Sequence, residues 1–228
     1  TAEDIWRDSD PADDNHPYLV AKKVKANGLK TDGSRLIVPM FDINNDIHSV
    51  QYIDDKGKKK FLKFGAIKGN FFTIQGDENV YICEGFSTGS TIHEVTGGTV
   101  IVAFNSGNLP SVASNIKTKF PSSRIVICAD NDQFTETSSG KKNPGVLKAK
   151  EAAALINASV VIPEFKSPEE GKTDFNDLFE VEGQEAVKLQ IMGAKTRFNL
   201  SDWCVDAYHG SAPERRWLVY KTFPMASV

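Results

Sequence analysis

Two short apolar runs that each end in carboxylates constrain this chain most. The first occupies residues 80–83 and is followed at once by Glu84. The second occupies residues 124–129 and is followed by Asp130 and Asp132. Short runs rich in β-branched residues and bounded by turn-forming residues are typical of buried strands in a parallel sheet. Because open α/β sheets bind ligands beyond the carboxyl ends of their strands, the sequence predicts an acidic site at one sheet edge.

The segments around these runs alternate between predicted strand and predicted helix. Helices are predicted over residues 86–95, 112–120 and 143–156, and further strands over 99–104 and 160–162. Such alternation is typical of a parallel sheet that is covered on both faces. We therefore expect an α/β fold with a Rossmann-like parallel sheet of about four strands flanked by helices, over residues 79–183.

The chain before residue 79 has a different pattern. Short apolar runs, of which 36–40 and 47–53 are the longest, are separated by turn-forming residues, as in antiparallel hairpins. We expect a small antiparallel β-rich subdomain over residues 16–78, with three or four strands. Residues 1–15 are acidic, with Asp8, Asp10, Asp13 and Asp14 around Pro11, and this composition predicts a flexible acidic arm.

The composition excludes several classes of protein. With 228 residues, 40% hydrophobic and 25% charged, the chain is typical of a soluble globular protein. Its formal net charge of −3 gives no overall positive field, so any nucleic-acid binding must come from local clusters. The sequence contains no CxxC pair, and disulfides are not expected. It has no apolar run of membrane-spanning length and no signal peptide, so we expect a cytoplasmic protein without membrane contact.

Glu84, Asp130 and Asp132 are the candidate catalytic residues. Mg²⁺ prefers oxygen ligands and takes one or two protein carboxylates beside water and phosphate oxygens. Two Asp separated by one residue can turn toward one ion, and a Glu on a neighbouring strand can hold a second ion or act as acid or base. The alternative interpretation is that the two Asp only form a turn or cap a helix. Gly85, which allows a close turn after Glu84, favours the site.

Three segments, taken together, resemble the motifs of a Toprim domain. They are Ile-Cys-Glu-Gly-Phe at 82–86, Ile-Cys-Ala-Asp-Asn-Asp at 127–132 and Lys-Thr-Asp-Phe-Asn-Asp-Leu at 172–178. The variety that they resemble most is found in bacteriophage and plasmid primases and in primase-helicase fusions. The segment 61–72 also resembles the one that precedes Toprim in these primases.

The resemblance implies a DNA primase core. Such an enzyme is a nucleotidyltransferase that makes short RNA primers on a single-stranded DNA template from ribonucleoside triphosphates during DNA replication. The resemblance implies two Mg²⁺ or Mn²⁺ ions as cofactors. The metal ligands that it implies are Glu84, Asp130, Asp132, Asp174 and Asp177. It also implies that residues 184–228, a helix and a linker, lead toward a helicase-like domain in a longer chain.

Thr88 departs from the pattern of bacterial primases. Those enzymes have an acidic residue four positions after the first-motif Glu, and here that position is Thr88. The number of metal ions is therefore left open. Asp174 or Asp177 is the candidate to replace the acidic residue that is missing at position 88.

The most basic stretch of the chain precedes the Toprim-like region. Its lysines neutralise phosphates in one interpretation, while Phe61 and Phe64 stack bases. The alternative interpretation is a solvated hairpin with both Phe side chains pointing inward. The candidate lysines for nucleic-acid or nucleotide binding are Lys58, Lys59, Lys60, Lys63, Lys68, Lys141 and Lys142.

Two other functions share the Toprim resemblance. One is a Toprim nuclease of the kind attached to ATPases in phage-defence proteins, which cleaves DNA phosphodiesters. The basic β-rich subdomain argues against it. The other is a catalytically silent Toprim that binds single-stranded DNA in a replication complex, and Thr88 keeps this hypothesis open.

Overall fold

Two five-stranded β-sheets organise the part of the chain that the structure describes. The structure is a computed structural model, and it describes residues 1–132 and 143–195. Lys141, Lys142 and the predicted linker over 196–228 lie outside the described residues. Residues Thr1–Lys195 pack as one unit.

The first sheet is antiparallel throughout and comes from the N-terminal part of the chain. Its spatial order follows the chain order. The strands are β1 (Asp10–Pro11), β2 (Lys30–Thr31), β3 (Leu36–Phe41), β4 (Ile47–Ile53) and β5 (Lys59–Phe61). The apolar β3 and β4 form its longest ladder, as their sequence predicts. The expected antiparallel subdomain is confirmed, with two short strands, β1 and β2, that the sequence did not predict.

The second sheet contains the acidic motifs at its carboxyl edge. Its strands are β6 (Phe72–Ile74), β7 (Asp77–Cys83), β8 (Gly98–Val102), β9 (Ile125–Cys128) and β10 (Ser159–Val161). The spatial order is β10-β9-β7-β8-β6, and the first four of these are mutually parallel. This confirms the expected parallel sheet of about four strands. The fifth strand, β6, runs antiparallel to β8 at the edge and was predicted as part of the N-terminal subdomain.

Seven α-helices surround these sheets within the described residues, and a short 3-10 helix spans Ser106–Asn108. The α-helices are α1 (Ala2–Arg7), α2 (Pro17–Lys22), α3 (Phe86–Thr96), α4 (Leu109–Lys119), α5 (Pro144–Ile156), α6 (Phe175–Glu182) and α7 (Gln184–Lys195). Helices α3, α6 and α7 bury their apolar residues on one face of the parallel sheet, and α4 and α5 on the other. The predicted flanking helices are thus confirmed. None of the helices in the described ranges has the length and apolar character needed to cross a membrane.

One apolar cluster joins the two sheets. It contains Leu36 and Met40 from β3 together with Tyr81 from β7 and Val100 from β8, all fully buried. Burial of this kind supplies most of the driving force for folding, so the sheets stabilise each other. The predicted boundary after residue 78 therefore falls inside β7 and after β6, so it divides the second sheet, and the two sheets share a core.

The N-terminal residues differ from the predicted flexible arm. They form α1, whose N-cap Thr1 makes a reciprocal capping box with Asp4. Ala2 is buried against Ile37 and Val50, and Trp6 packs beside them. The prediction was wrong because the Asp-rich composition outweighed these apolar residues, which give the segment a face to bury.

Asn108 fastens the segment that follows the basic strand to the parallel sheet. Its Oδ1 accepts a hydrogen bond from the Gly69 amide at 2.7 Å. Its Nδ2 donates to the carbonyl oxygens of Ile67, Asn70 and Ala103 at 3.1, 3.0 and 2.9 Å. Because Ala103 directly follows β8, one buried side chain connects the end of the basic segment to the sheet edge that carries the acids.

We expect Asn108→Ala to be strongly destabilising. The substitution removes four hydrogen bonds to backbone groups, three of them buried, which costs about 3 kcal/mol of unfolding free energy. Urea unfolding measures this loss. Asn115→Ala is the matched control, because Asn115 makes a single hydrogen bond to the same segment, at 3.0 Å to the Gly69 carbonyl. Equal effects of the two substitutions would contradict the assignment of Asn108 as the main connection.

Candidate metal and nucleic-acid site

The register of two neighbouring strands brings the first two acidic motifs together. In the parallel pair of β7 and β9, Ile82 lies opposite Ile127. Glu84 and Asp130 therefore leave the sheet at the same edge, two and three residues after that pair. The edge predicted from the sequence is the one at which the structure places them.

Glu84 is an acid with an unsatisfied oxygen. Its Oε1 is buried and has no hydrogen-bond partner in the protein. Burial, followed by the nearby carboxylates of Asp132 and Asp174, raises the pKa of Glu84 to about 7, although the backbone amide of Ser106 favours the charged form. The side chain therefore titrates near neutral pH.

Asp130, like Glu84, is a buried acid with an unsatisfied oxygen and a raised pKa. Its Oδ1 is buried without a partner. Burial and the carboxylates of Glu84, Asp174 and Asp132 raise the pKa of Asp130 well above its ordinary value. Lys59 acts in the opposite direction. These acids therefore share one electrostatic field, in which negative charge outweighs the positive charge of Lys59.

The two acids of the third motif, Asp174 and Asp177, have different partners. Asp174 caps α6, with its Oδ1 accepting the Asp177 amide at 2.9 Å. Burial, with Asp177 as the next cause, raises the pKa of Asp174. Asp177 accepts the amides of Thr173 and Asp174 on Oδ2, and its Oδ1 faces Lys22 at 3.5 Å and Lys172 at 3.8 Å. The structure therefore brings Asp174 to the acidic group and gives Asp177 partners elsewhere.

Thr88 contacts the third motif directly. Its hydroxyl donates a hydrogen bond to Asp174 Oδ2 at 2.8 Å, and the side chain is buried. The residue that departs from the bacterial pattern thus supplies a donor to an acid of this site.

The middle residue of the second motif holds the motif in place. The Asn131 amide donates to the Thr173 carbonyl at 2.7 Å, and its Nδ2 donates to the Pro163 carbonyl at 3.1 Å. Its Oδ1 accepts from Asn143 Nδ2 at 3.0 Å, and Asn143 Oδ1 in turn accepts the Asp132 amide at 3.3 Å. These bonds fix the backbone between the two Asp and connect it to the start of α5.

Gly145 lets the N-terminus of α5 approach the acids, and the sequence analysis missed it. A Cβ atom at this position would lie 2.5 Å from the Asp130 carbonyl oxygen and 3.2 Å from Glu84 Oε1. The partial positive charge of a helix N-terminus stabilises carboxylates at short range. The Pro-Gly pair at 144–145 was the available signal, since glycine is a poor residue for a helix interior.

The residues at this edge fit a divalent cation. Among residues 1–132 and 143–195, no three Asp, Glu, His or Cys side chains are already arranged around one ion position. Mg²⁺, however, uses only one or two protein carboxylates and completes its shell with water and phosphate oxygens. The buried, unpartnered oxygens of Glu84 and Asp130 are ligands of this kind.

The basic segment reaches the acidic edge through Lys59. Its Nζ lies 3.5 Å from the position that a Cβ atom on Gly85 would take. Phe61 is half buried and packs edge-on against Phe104, with ring centroids 6.2 Å apart, whereas Phe64 is 94% exposed. The hairpin with both Phe side chains inward is therefore contradicted at Phe64. The predicted lysines that the structure describes are all exposed: Lys58, Lys59, Lys60, Lys63 and Lys68.

The raised pKa of Glu84 predicts how stability depends on pH without metal. Between the ordinary value of 4.5 and about 7, the unfolded chain has released this proton while the folded chain retains it. Folding stability therefore falls as pH rises through that interval, and Glu84→Gln removes the loss. We compare the unfolding free energy of Glu84→Gln with that of the parent at two pH values. The difference should favour the variant by roughly 2–3 kcal/mol more at about pH 8 than at about pH 4.5.

Urea unfolding with a chelator at the two pH values measures this gain. Glu151→Gln is the control, since Glu151 is exposed on α5 and we expect its substitution to change stability little. A Glu84→Gln effect of the same size at both pH values would contradict the assignment.

Comparisons with known proteins agree with this geometry. The family model of the Toprim domain matches residues 79–185. Two DNA primases named TraC, both from Escherichia coli, are each 33% identical to the chain, over 168 and 177 residues. The matched regions cover 70% and 72% of this chain but only 12% and 17% of those proteins. The chain thus spans a small part of the relatives that it matches.

A solved structure shares the fold. The primase fragment of the bacteriophage T7 primase-helicase protein superposes with a TM-score of 0.55 at 16% identity, covering 76% of this chain and 73% of that one. A second structure with T7 primase domains, bound to an RNA/DNA hybrid and dTTP, gives a TM-score of 0.52 at 16% identity, covering 77% and 90%. The predicted resemblance is confirmed: residues 79–185 form a Toprim domain, in a chain similar to DNA primases of plasmid and phage type.

Proposed function

We propose that this chain carries the catalytic core of a DNA primase, which makes short RNA primers on single-stranded DNA from ribonucleoside triphosphates. One observation carries the proposal. Two buried acidic oxygens without partners, on Glu84 and Asp130, lie at a sheet edge that Lys59 from the basic strand also reaches. Acids that hold a cation and a lysine that meets phosphate are the groups that nucleotidyl transfer requires.

The carboxylates would hold a divalent ion, Mg²⁺ or Mn²⁺. The proposed ligands are Glu84, Asp130 and Asp132, with Asp174 beside them. When bound, such an ion supplies Lewis-acid stabilisation of charge on the reacting phosphate. Asp177 is proposed as a helix-capping residue because its oxygens already have amide and lysine partners.

The chain's own residues would prepare the reaction around that ion. As the alternative to binding the ion, Glu84, whose pKa is about 7 without metal, is suited to exchange a proton with a hydroxyl group near neutral pH. Lys59 would meet phosphate oxygens of the incoming nucleotide or the template. Lys58, Lys60, Lys63 and Lys68 are exposed on the same segment and would contact the template backbone.

The T7 relative is described as part of a primase-helicase protein. This description supports the proposal that a helicase module works with this core. Residues 184–228 are proposed to lead toward it.

A primer-synthesis assay tests the proposed activity. The protein is incubated with single-stranded DNA, labelled ribonucleotides and Mg²⁺ or Mn²⁺. We expect short RNA products, and we expect Glu84→Gln and Asp130→Asn to lower their yield at least 100-fold because each removes a proposed ligand charge. Glu151→Gln serves as the control with full activity, since this side chain is exposed on α5, six residues after the glycine that contacts the acids.

The same assay separates the alternatives. If the protein shortens DNA without added ribonucleotides, and Glu84→Gln abolishes this cleavage, the chain is a nuclease and the primase proposal is wrong. Single-stranded DNA binding without either product would favour the silent Toprim.

Metal binding distinguishes the proposed ligands from the proposed cap. We expect Mn²⁺ to raise the melting temperature of the parent protein, because a ligand that binds only the folded state stabilises it. Asp130→Asn should abolish this rise while it stabilises the metal-free protein, since a buried, repelled charge is lost. Asp177→Asn should lower the metal-free stability by about 1–2 kcal/mol and retain the rise.

Thermal unfolding after chelation, with and without added Mn²⁺, measures both effects. Loss of the rise in Asp177→Asn would make Asp177 a ligand and overturn its assignment as a cap.

A further inference from the structure

Phe64 is the most exposed large hydrophobic side chain among the described residues. It is 94% exposed, and the next, Leu189, is 75% exposed. Its backbone has φ of 66°, in the left-handed region that disfavours bulky residues and that glycine adopts freely. Neither packing nor backbone conformation therefore accounts for a phenylalanine at this position.

The turn that carries Phe64 is firmly attached to the antiparallel sheet. The Leu62 amide donates to the Val50 carbonyl at 2.9 Å, and the Gly65 amide donates to the Leu62 carbonyl at 3.1 Å. A Cβ atom on Gly65 would clash with the buried Ser49 side chain, so the chain on that side is pressed against β4. The ring of Phe64 is thus directed outward by a turn that is fixed on both sides.

One lysine contacts the ring, and others are exposed on the same segment. The Lys63 ammonium lies 4.9 Å from the ring centroid, within cation–π distance. Lys60 and Lys68 are exposed on the same segment. An exposed aromatic face in contact with one lysine, on a basic segment, suits a partner that combines flat aromatic groups with negative charge. The ring stands alone and does not form the wide apolar area that is typical of a protein interface.

The ring is also close along the chain to the acidic edge. Lys59 reaches that edge, and Phe64 follows five residues later, at most roughly 18 Å away along an extended chain. A strand of nucleic acid at the site is therefore long enough to reach both residues.

We propose that Phe64 stacks on an unpaired base of the single-stranded DNA template, while Lys63 contacts the neighbouring phosphate. This inference rests on the proposed function and deepens it, because it assigns the position at which the template is held beside the site.

Binding to two oligonucleotides tests the assignment with the full 228-residue chain. One is a single-stranded DNA of mixed sequence, and the other is its counterpart with abasic positions, which keeps the phosphates and removes the bases. We expect the parent protein to bind the normal DNA about tenfold more tightly than the abasic one. Phe64→Gly should remove most of this preference and bind both DNAs with similar affinity.

Two further measurements separate a binding role from a structural one. Glycine accepts the left-handed conformation, so Phe64→Gly should melt no lower than the parent. Its affinity should depend on salt as steeply as that of the parent, whereas Lys63→Gln should show a shallower dependence because a phosphate contact is lost. Val20→Ala, which trims another exposed apolar side chain, is the control and should leave binding unchanged.

Several outcomes would overturn the inference. They are a lower melting temperature for Phe64→Gly, a base preference that the substitution leaves intact, or unchanged affinity for normal DNA, which would assign the ring to a protein partner. The measurement needs no primer synthesis, so it fails separately from the proposed activity. If the parent prefers normal DNA through Phe64 but makes no primers, only the primase proposal is overturned. If it makes primers but shows no preference that depends on Phe64, only this inference is overturned.

Discussion

The parallel pairing of β7 with β9 is the constraint on which the site depends. It delivers Glu84 and Asp130 to one edge, and the fully buried apolar residues on both strands leave the register no freedom. A slip by one residue would turn apolar side chains toward the wrong face of a sheet that is covered by helices. The stability of the core therefore determines where the acids lie, and the acids themselves oppose that arrangement.

That opposition is limited by several weak sources of positive charge. The N-terminus of α5 approaches closely because position 145 is glycine, the Ser106 amide faces Glu84, and Lys59 faces Asp130. These groups leave the pKa values of both acids raised, so the compensation is partial. Such partial compensation of the negative charge suits a cation site. If protein groups neutralised the acids completely, a bound ion would gain little further electrostatic stabilisation.

The sequence predicted those features that depend on local pattern. The runs at 80–83 and 124–129 are short, apolar and followed by acids, and both are strands that end at the site. It could not predict that β6 joins the parallel sheet, because its partner β8 lies more than twenty residues later and the pairing is tertiary. Ile5 and Trp6 were overlooked for a similar reason, since the surface that buries them comes from strands distant in sequence.

The same limit explains the third motif. From the sequence, Asp174 and Asp177 are equally good candidates for metal ligands. Their spacing of three residues at a helix start is also that of a capping box, and the structure forms one. Asp174 faces both ways: Oδ1 caps the helix and Oδ2 receives the Thr88 hydroxyl. A hydroxyl at position 88 therefore orients Asp174 without adding another buried charge. An additional carboxylate there would have raised the repulsion that already shifts Glu84 and Asp130.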